Sequence, residues 1–320
     1  MRAIVFAEPG CAAVMEGFEC ALLRAEQVRL RTLFSGVTVG TERGILKGSD
    51  LPHIPGYQTV SEVIEVGGAV RGVSVGDRVF SDYADPPVNF SGGGGFGHME
   101  ERVREASGNF MRLPDGFDPE QAALLGVMGI GVKASRRGGV GMGGKVLVIG
   151  LGIIGQACGQ ASLAMGAEVF GLDVMPERCA LAEKLCCTKA FDGGDSKAWA
   201  RIAEHGPYDV VFETTGLTQM YNRAFTVIKK GISRIMAVGM RGTMEYEFWK
   251  LAHLSEATIV HTEHFTAEDV RDVLKLTQRR RFDIGALITH RLPVEGAPAI
   301  YQKIIDDPSG LMGVVFDWRR

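Results

Sequence analysis

The stretch Lys145-Val-Leu-Val-Ile-Gly-Leu-Gly-Ile-Ile-Gly155 decides the fold. An apolar run of strand length ends in Gly150-x-Gly152-x-x-Gly155, and a helical pattern follows over residues 153–165. The three-glycine spacing alone is common by chance. A strand before it, a helix after it and an acid closing the next apolar run make it specific. Gly150 allows a tight turn, Gly152 lets the backbone approach a pyrophosphate, and Gly155 lets the helix pack against the strand. Leu151, Ile153 and Ile154 complete the turn, where free N–H groups and the helix dipole face an anion. Asp173 stands 18 positions beyond Gly155. An acid at that spacing accepts hydrogen bonds from the adenosine ribose and repels a 2′-phosphate, so the spacing implies NAD rather than NADP. Val174 and Arg178 adjoin it, and Arg178 has the charge to neutralise a phosphate.

Outward from the turn, apolar strands at 145–150, 168–173, 208–213, 233–239 and 258–261 alternate with helical patterns at 153–165, 176–185, 218–228 and 267–279. Buried strands separated by helices predict a parallel sheet covered on both faces, an α/β architecture. The first ~120 residues read differently, as short β-rich runs such as 59–66 and 77–80 between Gly, Pro and Asp punctuation. Residues 91–97 (Ser-Gly-Gly-Gly-Gly-Phe-Gly) read as a flexible loop. Beyond residue 286 the strand–helix–strand texture returns, with strands at 287–290 and 313–316 that complete the first domain. The expected division is 1–123 with 263–320 for the β-rich domain and 124–262 for the nucleotide domain.

The composition supports two folded domains: 320 residues, 46% of them hydrophobic. With 35 basic residues against 38 acidic ones the formal charge is −3, which gives no reason to expect nucleic acid or an anionic membrane as partner. The most apolar stretch, 146–155, is too short to span a bilayer, and the N-terminus lacks a secretory signal pattern, so a cytoplasmic protein is expected. The six cysteines form no C-x-x-C pair and read as free thiols, most of them buried.

The chain resembles the medium-chain dehydrogenase/reductase superfamily, the fold of zinc alcohol dehydrogenases. The likeness rests on Ser35-Gly-Val37, Gly40-Thr-Glu42, Pro55-Gly-Tyr-Gln58, Val75-Gly-Asp-Arg-Val79, the glycine turn and Leu287-Ile-Thr-His-Arg-Leu-Pro293. It implies a GroES-like β-rich catalytic domain, a Rossmann doubly wound parallel-sheet domain and an active site in the interdomain cleft. It implies nicotinamide contacts from Thr214, Thr215, Val238, Gly239 and Met240, and from the region of His261–Thr262. The Ser-Gly-Val-x-x-Gly-Thr-Glu pattern is most similar to the hydroxyethyl-bacteriochlorophyllide dehydrogenase-like subgroup.

The superfamily's catalytic zinc uses a cysteine around 38–40, a His-Glu pair and often a cysteine near 127–128. Here Tyr57 and Gln58 stand at the His-Glu positions, those cysteines are missing, and no four-cysteine lobe occurs between residues 82 and 105. No zinc is expected. A different site built from His53 and His98 with Glu62 or Glu100 is the weaker alternative. Without a metal, another group must polarise the carbonyl or stabilise the alkoxide. By resemblance Thr41 matches the hydroxyl residue that relays the proton, and Tyr57 points into the same cleft. Tyr57 would need its pKa lowered from ~10 to act as a base. Glu42 is expected to orient neighbours, His98 to be an exposed loop residue, and Lys133 to reach cofactor phosphates or solvent.

The leading expectation is an NAD-dependent, zinc-independent dehydrogenase acting on a secondary alcohol or the matching ketone, a small-molecule enzyme assembled as a homodimer or homotetramer. NADPH-dependent quinone or enoyl reduction is the second reading, against which Asp173 counts. A non-catalytic NAD-binding redox sensor is the third.

Overall fold

The computed structural model describes residues 1–239 and 243–319. The chain folds as two compact units, Met1–Gly126 with Ile284–Arg320, and Val127–Asp283.

The first unit is built on two sheets. Its larger sheet runs in the order Ile288–Pro293, Gly313–Asp317, Gln27–Val37, Thr59–Val66, Arg78–Ser81 and Phe110–Arg112, with Glu101–Glu105 pairing onto Gln27–Val37. The smaller sheet joins Cys11–Met15, Ala3–Glu8, His53–Ile54 and Gly93–Gly94. The C-terminal strand enters this unit by antiparallel pairing, Val314 opposite Val37 and Phe316 opposite Ser35. Sequence-local cues cannot supply that pairing, because its two strands lie at opposite ends of the chain. The helix Ala297–Asp306 lays Ile300, Tyr301 and Ile304 into a core with Phe6, Leu46 and Phe316.

The glycine-rich run at 91–97, expected to be flexible, is packed backbone. Gly93 and Gly94 pair in parallel with His53 and Ile54. A Cβ at Gly95 would sit 2.2 Å from the Gly56 carbonyl oxygen, and one at Gly97 would sit 2.6 Å from the Gly56 carbonyl carbon. Glycine is used here because two backbones touch.

The second unit is a six-stranded, wholly parallel sheet in the order Lys189–Asp192, Glu168–Asp173, Lys145–Ile149, Val210–Glu213, Arg234–Ala237 and Thr258–His261. Side chains alternate along its strands. Leu147 and Ile149 feed one apolar cluster, and Val146 and Val148 feed another. This is the doubly wound α/β arrangement, and the strand order reverses at the neighbours Lys145–Ile149 and Val210–Glu213, where such sheets bind ligands. The helix Pro176–Leu185 spans the expected residues. Two elements escaped the sequence reading, the strand Lys189–Asp192 and the helix Ala198–His205. That strand lies at the sheet edge with only Phe191 buried, so no apolar run marks it.

The helix Ala267–Gln278 belongs to this second unit, whereas the boundary drawn at 262/263 assigned it to the first. Its attachment is electrostatic and steric. Arg136 pairs with Asp269 at 2.6 Å and also with Asp272, and a Cβ at Gly129 would lie 3.0 Å from the Phe265 Cβ and in contact with Val270. Among the described residues no helix is long and apolar enough to cross a membrane. Four of the six cysteines are buried, Cys11 is exposed, and all are free thiols.

Candidate active site

In the second unit the glycine turn has the geometry that its spacing implies. Gly150 adopts φ +88°, in the left-handed region. A Cβ at Gly155 would lie 1.8 Å from the Gly150 carbonyl oxygen, so only hydrogen can occupy that place. Gly152 begins the helix Ile153–Ala164 without a side-chain cap, which leaves the N-terminal N–H groups of Ile153 and Ile154 to an anion. A Cβ built on Gly152 would have only the Arg178 guanidinium within 4 Å, at 3.9 Å, so the backbone is open to close approach.

Asp173 is nearly buried at the end of its strand. One carboxylate oxygen accepts the Leu151 N–H at 2.7 Å, and the other accepts the Met175 N–H at 2.9 Å. The acid thus braces the turn from behind and keeps lone pairs for ribose hydroxyls. Arg178 stands 3.7 Å from the same carboxylate. Val174 is exposed beside it.

Glu213 organises the loop after the next strand, a role that sequence reading missed. Fully buried, it accepts the backbone N–H groups of Thr215 at 2.9 Å and Gly216 at 2.8 Å, and the Thr215 hydroxyl. Thr214 donates its hydroxyl to the Gly150 carbonyl at 2.8 Å, which ties this loop to the glycine turn. Val238 and Gly239 both donate N–H to the Glu213 carbonyl at 2.9 Å. A Cβ at Gly239 would fall 2.2 Å from the Gly216 nitrogen, so the loops after neighbouring strands touch. Met240 lies outside the described residues. Lys133, expected to reach cofactor phosphates or solvent, is half-buried and its ammonium donates to the His264 carbonyl at 2.7 Å.

In the first unit a set of hydroxyl groups gathers at the start of the helix Val39–Lys47. Thr38 occupies the N-cap position but makes no side-chain cap bond. Its hydroxyl turns elsewhere, accepting from Gln58 Nε2 at 3.3 Å and bonding to the Tyr57 phenol. Thr41, in the first turn of the helix, also bonds to Tyr57. The phenol is held well above its usual pKa. Burial is the main cause and the Glu42 carboxylate adds to it, while the Thr38 and Thr41 hydroxyls pull the other way. The lowering that a role as base would need is not found, because burial beside the Glu42 carboxylate disfavours the phenolate. Tyr57 carries its proton at neutral pH.

Glu42 reaches back to the residue that precedes its helix. The buried Glu42 carboxylate accepts the Thr38 N–H at 2.8 Å, His98 Nε2 at 3.2 Å and the Tyr301 hydroxyl. Hydrogen-bond direction follows from Trp318, whose indole can only donate. Trp318 Nε1 gives its hydrogen to Ser35 Oγ at 2.8 Å, and Ser35 Oγ is hydrogen-bonded to His98 Nδ1 at 2.7 Å, next to a carboxylate that can only accept from Nε2. The imidazole then presents Nε2–H to Glu42. His98 has no exposed surface, contrary to the exposed loop histidine expected. Its glycine-rich approach, packed on Gly56, carries it inward. Glu42 orients its neighbours as expected. Tyr301 lies 259 residues away in sequence, and no local signal announces it.

With this geometry in view, the comparisons with known proteins are decisive for the family. Residues 24–115 match the alcohol dehydrogenase GroES-like domain, and residues 154–279 match the zinc-binding dehydrogenase domain, together about two thirds of the chain. The chain belongs to the zinc-type medium-chain dehydrogenase/reductase superfamily. Sorbitol dehydrogenase 1 of Saccharomyces cerevisiae is 26% identical over 298 residues, covering 82% of this chain and 80% of the yeast protein. An alcohol dehydrogenase from E. coli CFT073, solved in complex with NADH, superposes with a TM-score of 0.87 at 19% identity, covering 99% of both chains. A zinc-binding dehydrogenase from Sinorhizobium meliloti 1021, bound to NADP, gives a TM-score of 0.83 at 20% identity, covering 99% of this chain and 98% of that one. The protein is an alcohol dehydrogenase-like oxidoreductase of this superfamily, with a GroES-like and a Rossmann domain.

Superfamily membership raises the question of zinc, which the side chains present do not fit. The ligand positions implied by resemblance hold a threonine hydroxyl, a protonated phenol and a primary amide, already bonded to one another. Zinc sites need thiolate, imidazole or carboxylate donors. Among the described residues no group of three or more His, Cys, Asp or Glu side chains is placed to hold a metal. The alternative set does not assemble either: His98 is committed to Ser35 and Glu42, and Glu100 pairs with Arg2.

Filling the Gly155–Gly150 contact tests the nucleotide site directly. Gly155→Ala is expected to weaken NADH binding at least tenfold, a loss of ~1.4 kcal/mol or more. Fluorescence titration reads the affinity, and far-UV circular dichroism checks that the fold is retained. Undiminished affinity would show that the turn does not hold the cofactor.

Proposed function

We propose that this protein is a zinc-independent, NAD(H)-dependent oxidoreductase that interconverts a secondary alcohol and a ketone by hydride transfer. The observation that carries the reading is that Thr38 and Tyr57, at positions where the resemblance implies metal ligands, are hydrogen-bonded to each other, with the Thr41 hydroxyl also on the Tyr57 phenol.

The nicotinamide, when bound, supplies or accepts the hydride. The protein's own part is to hold the dinucleotide and to manage one proton. The helix N-terminus at Ile153 and the open backbone at Gly152 suit a pyrophosphate. Asp173 suits ribose hydroxyls and repels a 2′-phosphate, which supports NAD, and Arg178 is placed to cover the same ribose. Thr214, Thr215, Val238 and Gly239 line the carboxyl ends of adjacent parallel strands, where nicotinamide contacts are proposed.

Tyr57 is the proposed catalytic residue. Its elevated pKa suits a donor: the phenol gives a hydrogen bond to the ketone oxygen and its proton to the alkoxide that forms on reduction. Thr41 and Thr38 hold the phenol by hydrogen bonds and stabilise it once the proton has left. This arrangement replaces Lewis-acid polarisation by hydrogen-bond donation to the same oxygen. Sorbitol and other polyols are the first substrates to screen, since a relative across most of the chain is a sorbitol dehydrogenase.

Tyr57→Phe is expected to lower kcat for ketone reduction about 100-fold while leaving NADH affinity unchanged. Equal turnover in the variant and the parent would remove Tyr57 from the chemistry. Asp173→Ser is expected to improve NADPH use relative to NADH by roughly 10- to 100-fold, read as the ratio of kcat/KM values. A parent enzyme that already prefers NADPH would overturn the cofactor assignment. Elemental analysis of active protein is expected to find far less than one zinc per chain, with activity surviving chelation. Stoichiometric zinc whose removal abolishes turnover would sink the metal-free reading.

A further inference from the structure

Arg102 lies in the core of the first unit, on the strand Glu101–Glu105, with no exposed surface. Strand pairing sets it opposite Leu30, whose neighbours in the core are Val28, Val63 and Val79. Its guanidinium donates to the Asp82 carbonyl at 3.0 Å, to Ser61 Oγ at 3.0 Å and to Ser81 Oγ at 2.8 Å. All three acceptors are neutral. The Asp82 carboxylate is engaged by Arg104 and by Asn109 Nδ2 at 2.7 Å. Two buried guanidinium groups therefore share one buried carboxylate, which leaves one positive charge in excess. The Cys20 thiol supplies no counter-charge, since burial holds its pKa up. Burial lowers the pKa of Arg102 to about 9, with Arg104 adding to the effect, so the group is still charged at neutral pH.

Two polar atoms on this interior face have no hydrogen-bond partner among the described residues: Arg102 Nε and Thr32 Oγ1, both buried. Register puts both residues on one face of the sheet. Thr32 lies opposite Ser61, the residue whose hydroxyl already receives Arg102, and two positions along the strand from Leu30, which faces Arg102. Nε–H can only donate, and the Thr32 hydroxyl can donate as well. A water molecule could meet both groups but would leave the charge uncompensated, and a buried ion without a partner is costly.

We propose that Arg102 Nε and Thr32 Oγ1 form a buried binding site for a small monovalent anion of the halide class. A halide is the smallest of the common anions and so the one a closely packed interior admits most readily, and the excess charge favours an anion over water. The site neutralises the arginine and stiffens the sheet that also carries Thr38 and the strand leading from Tyr57.

Thermal unfolding of the full-length protein tests the proposal, comparing sodium chloride, sodium bromide and sodium gluconate at constant ionic strength. A saturable rise in Tm of roughly 3 °C is expected with the halides and not with gluconate. The rise should shrink in Thr32→Val and vanish in Arg102→Met. Thr32→Val keeps the arginine and the side-chain shape, so it reads the site even if Arg102→Met does not fold. Crystals grown in bromide should show an anomalous peak beside Arg102 Nε. Equal Tm values in all three salts, or bromide crystals with no anomalous peak at that position, would overturn the proposal.

Discussion

One buried carboxylate, that of Glu42, sets the geometry of the first unit. It collects hydrogen bonds from the Thr38 N–H, His98 and Tyr301, and through His98 it reaches Ser35 and Trp318. These residues come from a strand end, a helix start, a glycine-rich segment, a C-terminal helix and the last turn of the chain. A buried anion demands hydrogen-bond donors, and each such bond to a charged group is worth about 1.5–3 kcal/mol. Each of the five segments is therefore held to the position that satisfies Glu42. The hydroxyl cluster adjoins it: Glu42 fixes the backbone of Thr38 at the helix start, and the Thr38 and Thr41 hydroxyls bond to Tyr57.

The second unit uses the same device twice. Asp173 clips the glycine turn through Leu151, and Glu213 clips the following loop through Thr215 and Gly216. Both carboxylates are at least nine-tenths buried, and both accept backbone N–H groups at the carboxyl ends of parallel strands. Backbone that would otherwise be mobile becomes a fixed surface. The glycines complete it by letting main chain meet main chain at Gly150–Gly155 and Gly216–Gly239. A binding surface made of backbone is tolerant of side-chain drift, which fits a fold retained at about 20% identity among its structural neighbours.

Much of this was legible in the residues. The strand–glycine turn–helix–strand order around residues 145–173 placed the nucleotide unit, because apolar periodicity and the φ requirement of Gly150 are local properties. Tyr57 and Gln58 at the metal-ligand positions followed from the family resemblance carried by Pro55-Gly-Tyr-Gln58. The helix containing Ala267 was harder to place: its attachment depends on Arg136, more than 130 residues earlier. The edge strand Lys189–Asp192 was silent because an edge strand needs few apolar residues. His98 was misread as exposed because a glycine-rich approach usually marks a loop, whereas here glycine marks close packing on Gly56.

By itself the sequence determined the two architectures and the glycine turn, since each follows from residue type and short-range spacing, and, through its family resemblance, the absence of thiolate and imidazole from the ligand positions that resemblance implies. Only the tertiary structure decided the protonation of Tyr57, the direction of the Trp318–Ser35–His98–Glu42 chain and the uncompensated charge at Arg102. Those properties depend on desolvation and on partners brought together from distant parts of the chain, and neither is encoded in any single window of residues.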